Sequence, residues 1–104
     1  MSLYSTLQGT GLPCAYSHFN KREGQPPQAP PYLVYMGNGQ DIMEADDTLY
    51  WRENNYRVEY YFTEKNEATE ADIEDALLDD GFLFTKSEDA YIESEGVFVI
   101  YYYI

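Results

Sequence analysis

Residues 56–84 read YRVEYYFTEKNEATEADIEDALLDDGFLF, and this stretch decides the fold. It opens with an alternating segment in which Tyr56, Val58, Tyr60 and Phe62 share one side of an extended chain. A period of two with one apolar side predicts a strand that is buried on one face. We expect this strand to be central, or nearly so, in its sheet.

A helix is predicted directly after this strand. The segment TEAD at residues 69–72 has the form of a capping box, so the helix is expected to begin at about Glu70. A narrow apolar stripe around Leu77 can lie on the sheet. Gly81 supplies the left-handed conformation that commonly ends a helix. Residues 82–86 then restart as strand.

The flanking sequence completes an α+β domain over residues 1–104, with a single mixed, mostly antiparallel sheet, a short N-terminal helix and one main helix packed on the sheet. A Pro-rich surface loop is expected at residues 20–31, where four prolines stand in two pairs. The other expected elements are a helix over 2–8, strands over 12–19, 32–36 and 48–52, a glycine break at 37–39, a connection over 40–47, a turn at 53–55 and a hairpin of 90–93 with 97–104.

Charge is distributed unevenly along the chain. The formal net charge is -13, yet residues 1–40 carry Lys21, Arg22 and one acid. The excess of acidic over basic residues therefore lies in residues 41–104. Such a surface is repelled by free nucleic acid and by anionic lipid. Twelve Tyr, five Phe and one Trp argue against a disordered acidic segment. No apolar run is long enough to span a bilayer, so no membrane partner is expected.

Catalytic chemistry has little support in the sequence. Cys14 and His18 are the only nucleophile and base pair, and an i, i+4 spacing on a strand places them about 13 Å apart. One histidine and one cysteine do not make a usual zinc site. We therefore expect no catalytic residue, no metal and no cofactor, and a protein that is not an enzyme.

Three sets of residues are candidates for interaction instead. Tyr101, Tyr102 and Tyr103 lie in a last strand that is apolar on both faces, and tyrosine is enriched at subunit interfaces as well as at core rims. An exposed edge on that strand would invite pairing, so either the domain or a subunit must cover it. In the Pro-rich loop, Lys21, Arg22 and Gln25 are candidates for docking a partner, although the loop can also be a tolerated insertion. Asp79 and Asp80 oppose the helix dipole, which fits either a solvated face or acids that line a lumen or meet a basic partner.

Five blocks of sequence follow one another in order, namely GLPCAYSHF (11–19), PPYLVY (30–35), AD followed by LYW (45–51), YRVEYYFTEKNEATEADIEDAL (56–77) and KSEDAYIESEGVFVIYYY (86–103). Together they resemble a family of small phage and prophage proteins, the tail-terminator or head-tail joining proteins of long-tailed phages. The resemblance covers nearly the whole chain and depends on the order and spacing of the blocks.

The resemblance implies a structural subunit that forms a ring, commonly a hexamer, at the head-proximal end of the tail tube. It would end tube polymerisation and join the tube protein to the head connector. Its implied locations are the host bacterial cytoplasm during assembly and then the virion. DNA would pass without specific binding, repelled by acids on the inner wall. The alternative reading of the same charge is an acidic DNA mimic that inhibits a host nucleic-acid enzyme.

Overall fold

The computed structural model describes residues 2–18, 28–45 and 48–104, with residues 41–45 and 48–53 described by their backbone alone. This part of the chain contains one mixed sheet of six strands, a short N-terminal helix and one main helix. The expected α+β class is confirmed. The elements are α1 (Leu3–Gln8), β1 (Cys14–Tyr16), β2 (Tyr32–Ala45), β3 (Thr48–Phe62), α2 (Glu67–Asp79), β4 (Thr85–Lys86), β5 (Ala90–Ile92) and β6 (Val97–Tyr103).

The sheet has the strand order β1-β2-β3-β6-β4, and β5 pairs with β6 beside β4. Only the pairing of β1 with β2 is parallel among these strands. β3 stands in the middle, as its one-sided alternation predicts. β6 pairs with β3 on one side and with β4 and β5 on the other, so the domain itself covers the edges of its most apolar strand.

The core lies between the two helices and one face of the sheet. Val58, Tyr60 and Phe62 of β3 are at most 2% exposed, which confirms the buried face of the alternating segment. Each such side chain contributes roughly 1.5–3 kcal/mol through burial. The remaining members of the cluster come from both helices and from β2 and β6, namely Leu3, Leu7, Leu33, Ile73, Leu77, Ile100 and Tyr102.

The main helix begins earlier than the capping box predicts. Its N-cap is Asn66, whose side-chain oxygen accepts a hydrogen bond from the Thr69 backbone N–H at 3.2 Å. The expected start at Glu70 is wrong because asparagine is as good an N-cap as threonine and stands three residues upstream. Glu70 is consequently one turn inside the helix and is 2% exposed.

The end of α2 follows the expectation for Gly81. Its φ is +86°, its N–H donates to the Leu78 carbonyl at 3.0 Å, and the Phe82 N–H donates to the Leu77 carbonyl at 2.8 Å. These two bonds form a Schellman motif. The motif holds residues 81 and 82 at the helix end, so the expected strand over 82–86 is reduced to Thr85–Lys86.

For the described residues, three expectations are wrong: the glycine break at 37–39, the connection over 40–47 and the turn at 53–55. β2 continues past Gly37, which stays opposite Tyr56, and an irregularity between Gly37 and Gln40 absorbs the positive φ of Gly39. Asn54 remains in the ladder opposite Gln40. β2 and β3 therefore form one long hairpin. Residues 46 and 47 of the expected connection lie outside the described residues.

The first strand is also shorter than expected. β1 stops at Tyr16 because Ser17 has a φ of +65°, which leaves the extended region. Residue 19 of the expected strand lies outside the described residues. Leu33 and Val34 of β2 are at most 5% exposed on opposite faces, as the absence of alternation in residues 32–36 predicts.

Candidate functional site

The candidate site is the face of the sheet that lies opposite both described helices. Strand register places three residues each from β2, β3 and β6 there in a three-by-three grid, because side chains alternate between faces. We call this surface the tyrosine face. Its rows are Tyr32, Tyr61 and Val99, then Val34, Glu59 and Tyr101, then Met36, Arg57 and Tyr103.

Glu59 is the centre of the grid and the buried charge of this face, with a side chain 8% exposed. Arg57 Nε donates to one carboxylate oxygen at 2.8 Å, and the Tyr61 hydroxyl donates to the other at 2.5 Å. A buried carboxylate is tolerated when it is paired and hydrogen-bonded in this way. Burial, followed by the hydrogen bond to Glu59, raises the pKa of Tyr61 well above its usual value.

The rings around this centre are ordered by contacts with one another and with Arg57. The rings of Tyr32 and Tyr61 stack at 5.0 Å with an interplanar angle of 10°. The guanidinium of Arg57 lies 5.7 Å from the centre of the Tyr101 ring, and Tyr101 stacks with Tyr103 at 6.2 Å. These contacts restrict the conformations of the large side chains on this face.

Exposure of the tyrosine face is intermediate. Tyr103 is 41% exposed, while Tyr32, Tyr61 and Tyr101 are half-buried. Half-exposed Tyr, Arg and Met side chains are the composition of interface cores. The face is therefore chemically suited to contact protein.

The sequence identified this surface only in part. Tyr101 and Tyr103 lie on the tyrosine face, but Tyr102 points to the helices, is fully buried and donates its hydroxyl to Glu74 at 2.9 Å. Tyr102 thus belongs to the core, because neighbours in a strand point to opposite faces. The sequence places Arg57 and Tyr61 on the polar side of the alternating β3 segment. It does not show which strands pair with β3, so it does not bring these residues together with Tyr32, Tyr101 and Tyr103.

A second cluster of charged groups joins α2 to the sheet. Lys65 Nζ lies 3.0 and 2.9 Å from the two carboxylate oxygens of Glu70, and Lys86 Nζ lies 2.9 Å from one of them. Lys86 also pairs with Glu74 at 2.9 Å, and Lys65 with Asp89 at 3.0 Å. We call these five residues the lysine–glutamate cluster. The hydrogen bond to Glu70 contributes most to the raised pKa of Lys65, and bonds to Glu74 and Glu70 raise that of Lys86 against desolvation.

Cys14 and His18, the residues considered for catalysis, lie in different surroundings. Cys14 is half-buried, and burial raises the pKa of its thiol, which lowers its reactivity at neutral pH. His18 is exposed, with Nδ1 3.2 Å from the Ser17 hydroxyl. Among residues 2–18, 28–40 and 54–104, whose side chains the structure describes, no group of three or more His, Cys, Asp or Glu is arranged to hold a metal ion.

The two candidate lumen acids differ in their surroundings. Asp79 is exposed at the end of α2, whereas Asp80 accepts a hydrogen bond from the Thr6 hydroxyl at 2.5 Å and so ties α1 to α2. Asp79 continues an exposed acidic stripe that Asp72 and Asp75 begin. The proposed docking residues Lys21, Arg22 and Gln25 lie outside the described residues. That these acids face a lumen stays a prediction.

Comparisons with known proteins give no assignment, because neither a protein-family model nor a curated protein matches the chain. In the described part of the chain, no helix has the length and apolar character needed to cross a membrane.

Proposed function

We propose that the chain is a structural subunit of a long-tailed phage or prophage, which assembles with copies of itself into a ring at the head-proximal end of the tail tube. There it ends polymerisation of the tube protein and joins the tail to the head connector. The proposal begins from the sequence resemblance, which covers nearly the whole chain. The tyrosine face is the structural observation that carries it.

The tyrosine face supports contact between subunits for three reasons. Its rings are fixed by stacking and by Arg57, the charges of Glu59 and Arg57 offset each other, and its most exposed ring is Tyr103. Chains of net charge -13 repel one another, so a contact surface whose charges offset each other favours association of copies. Rings that are ordered in advance lose little entropy when that contact forms.

Acidic groups elsewhere are consistent with a channel for DNA. Asp72, Asp75 and Asp79 stand on the exposed side of α2, away from the tyrosine face. In a ring that places α2 inward, these carboxylates repel phosphate and keep the genome from sticking. Asp80, which is engaged by Thr6, contributes less to such a wall.

The first test is the mass in solution, measured by light scattering on a sizing column over a range of protein concentrations. Six copies of the 12.1 kDa chain give about 73 kDa, the value expected for a closed hexameric ring. A monomer at every concentration contradicts self-assembly. A monomer that instead forms a stoichiometric complex with a nucleic-acid enzyme favours the DNA-mimic alternative, which the charge alone supports.

A pair of matched variants tests the face itself. Tyr103→Ser removes a 41% exposed ring from the tyrosine face, and Tyr16→Ser removes a 59% exposed ring from the opposite face of β1. We expect the first to shift the assembly toward monomer at equal concentration and the second to leave it unchanged. Equal effects of the two substitutions contradict an interface on the tyrosine face.

A further inference from the structure

The β2–β3 hairpin extends well beyond the rest of the sheet. β1 pairs with β2 only as far as Tyr35, and β6 with β3 only as far as Arg57, after which Ile104 exchanges backbone hydrogen bonds with Tyr56. Past that point, residues 40–45 and 48–54 pair with each other, and no other strand of the described residues pairs with them. We call these two segments the arm.

Within the described part of the chain, the arm has two backbone edges without a pairing strand. Its six cross-strand pairs run from Gln40 with Asn54 to Ala45 with Thr48, which gives a ribbon roughly 20 Å long. In an antiparallel ribbon of two strands, half of the N–H and C=O groups of each strand point away from the partner strand. A two-stranded ribbon is only marginally stable alone in water, and a free strand edge is a template for pairing with another chain.

The size of the tyrosine face shows why a second contact is needed. Three strands about 4.8 Å apart and three alternate residues along each give a surface of roughly 15 by 20 Å, or about 300 Å². A stable interface buries about 800 Å² on each partner. Assembly through the tyrosine face alone therefore falls short, and the arm is the projecting element of the described chain that can supply the remainder.

The receiving edge is available on the same chain. β4 and β5 pair with β6 on one side, and no described strand pairs with their other side. Both residues of β4 and the first two of β5 are exposed, so nothing in the described chain covers this edge. The other outer strand, β1, offers three residues, whereas β4 and β5 together offer five.

We propose that the arm of one copy adds to the β4–β5 edge of a second copy, so that the sheets of neighbouring subunits become continuous. This inference rests on the proposed function, because it needs self-assembly, and it names the element that makes the contact. The pairing uses backbone groups, so it does not require the acidic copies to match charges.

The chain offers a clean deletion to test the arm. Gly37 and Tyr56 are cross-strand partners, so removal of residues 40–55 leaves Asn38 and Gly39 as a two-residue connection between them. Asn-Gly is the favoured sequence for such a hairpin turn. The core residues remain in the shortened chain, and circular dichroism with denaturant unfolding checks that it folds.

The deletion variant and the full-length chain are compared by light scattering across the same concentrations. We expect the shortened chain to fold. Its concentration for half-assembly should rise at least about tenfold, so it should be a monomer at concentrations where the full-length chain assembles. A full-length chain that assembles while the deletion variant assembles equally well overturns the role of the arm and leaves the proposed function standing. A full-length chain that stays monomeric contradicts both.

Amide hydrogen exchange on the full-length chain provides a second measurement that needs no variant. Assembly should slow exchange in peptides that cover residues 40–54 and 90–92, since both edges gain hydrogen-bond partners. Protection of the arm without protection of residues 90–92 overturns the receiving edge. Unchanged exchange at both overturns the proposal.

Discussion

The lysine–glutamate cluster allows a prediction in which the sign of an effect tests the reasoning. Glu70 is 2% exposed, while the side chains of Lys65 and Lys86 are 44% and 34% exposed. Removing the anion and removing the cations are therefore different perturbations. Without the Glu70 charge, the lysines keep Asp89 and Glu74 and can turn to water, but a Glu70 carboxylate left without cations stays buried.

Glu70→Gln should cost about 1–2 kcal/mol of unfolding free energy. A hydrogen bond to a charged group contributes roughly 1.5–3 kcal/mol, and each of the two contacts is discounted because both lysines are partly solvated. The double variant Lys65→Met with Lys86→Met should cost about 3–5 kcal/mol, because it leaves an uncompensated buried charge. Glu88→Gln, at an exposed acid, is the control and should stay within about 0.5 kcal/mol.

The decisive variant combines all three substitutions. Adding Glu70→Gln to the lysine double variant removes the stranded charge, so the triple variant should be more stable than the double by about 2 kcal/mol. Urea denaturation at pH 7, followed by circular dichroism, measures the unaltered chain and the four variants. A triple variant that is no more stable than the double refutes the assignment of Glu70 as a buried charge held by the two lysines.

Three further predictions follow from other parts of the structure. Stability should be full below about pH 10 and fall as pH rises further, because the folded state raises the pKa of Tyr61 and Tyr102 above that of the unfolded chain. The phenolate absorbance of these two rings should appear together with unfolding, and their earlier ionisation would argue against their burial. Gly81→Ala should cost about 1 kcal/mol, because its φ of +86° strains a side chain, while Gly37→Ala, at a glycine without a positive φ, should cost less in the same denaturant titration. Assembly should become tighter with added salt, because salt screens the repulsion between acidic copies. The Debye length falls from about 30 Å at 0.01 M to about 8 Å at 0.15 M. Tighter assembly at low salt would point to an electrostatic contact instead.

The sequence predicted those parts of the fold that depend on local signals. The alternating β3 segment, the helix end at Gly81 and the hairpin of β5 with β6 depend on residues close in the chain, and all three are present. The break expected at Gly37 failed for a physical reason. Pairing with a long partner strand outweighs the weak local preference of glycine, and a ladder irregularity accommodates it.

The candidate site was less accessible to sequence reasoning because it is defined by register. Tyr101 and Tyr102 are adjacent and chemically identical, yet one lies on the tyrosine face and the other in the core. Which of them is exposed depends on the alignment of β6 with β3, across some 40 residues of sequence. The same alignment places Arg57 beside Tyr103 and Glu59 beside Tyr101, contacts that composition cannot reveal.

The position of β6 has a consequence for how the chain folds as it is synthesised. β6 is the last strand in sequence, but it joins β1, β2 and β3 on one side to β4 and β5 on the other. Until residues 97–103 leave the ribosome, a nascent chain can form the β2–β3 hairpin but cannot close the sheet, and the edge of β3 away from β2 has no strand beside it. A pause in translation upstream of residue 97 would therefore leave an aggregation-prone intermediate that needs a chaperone to shield it.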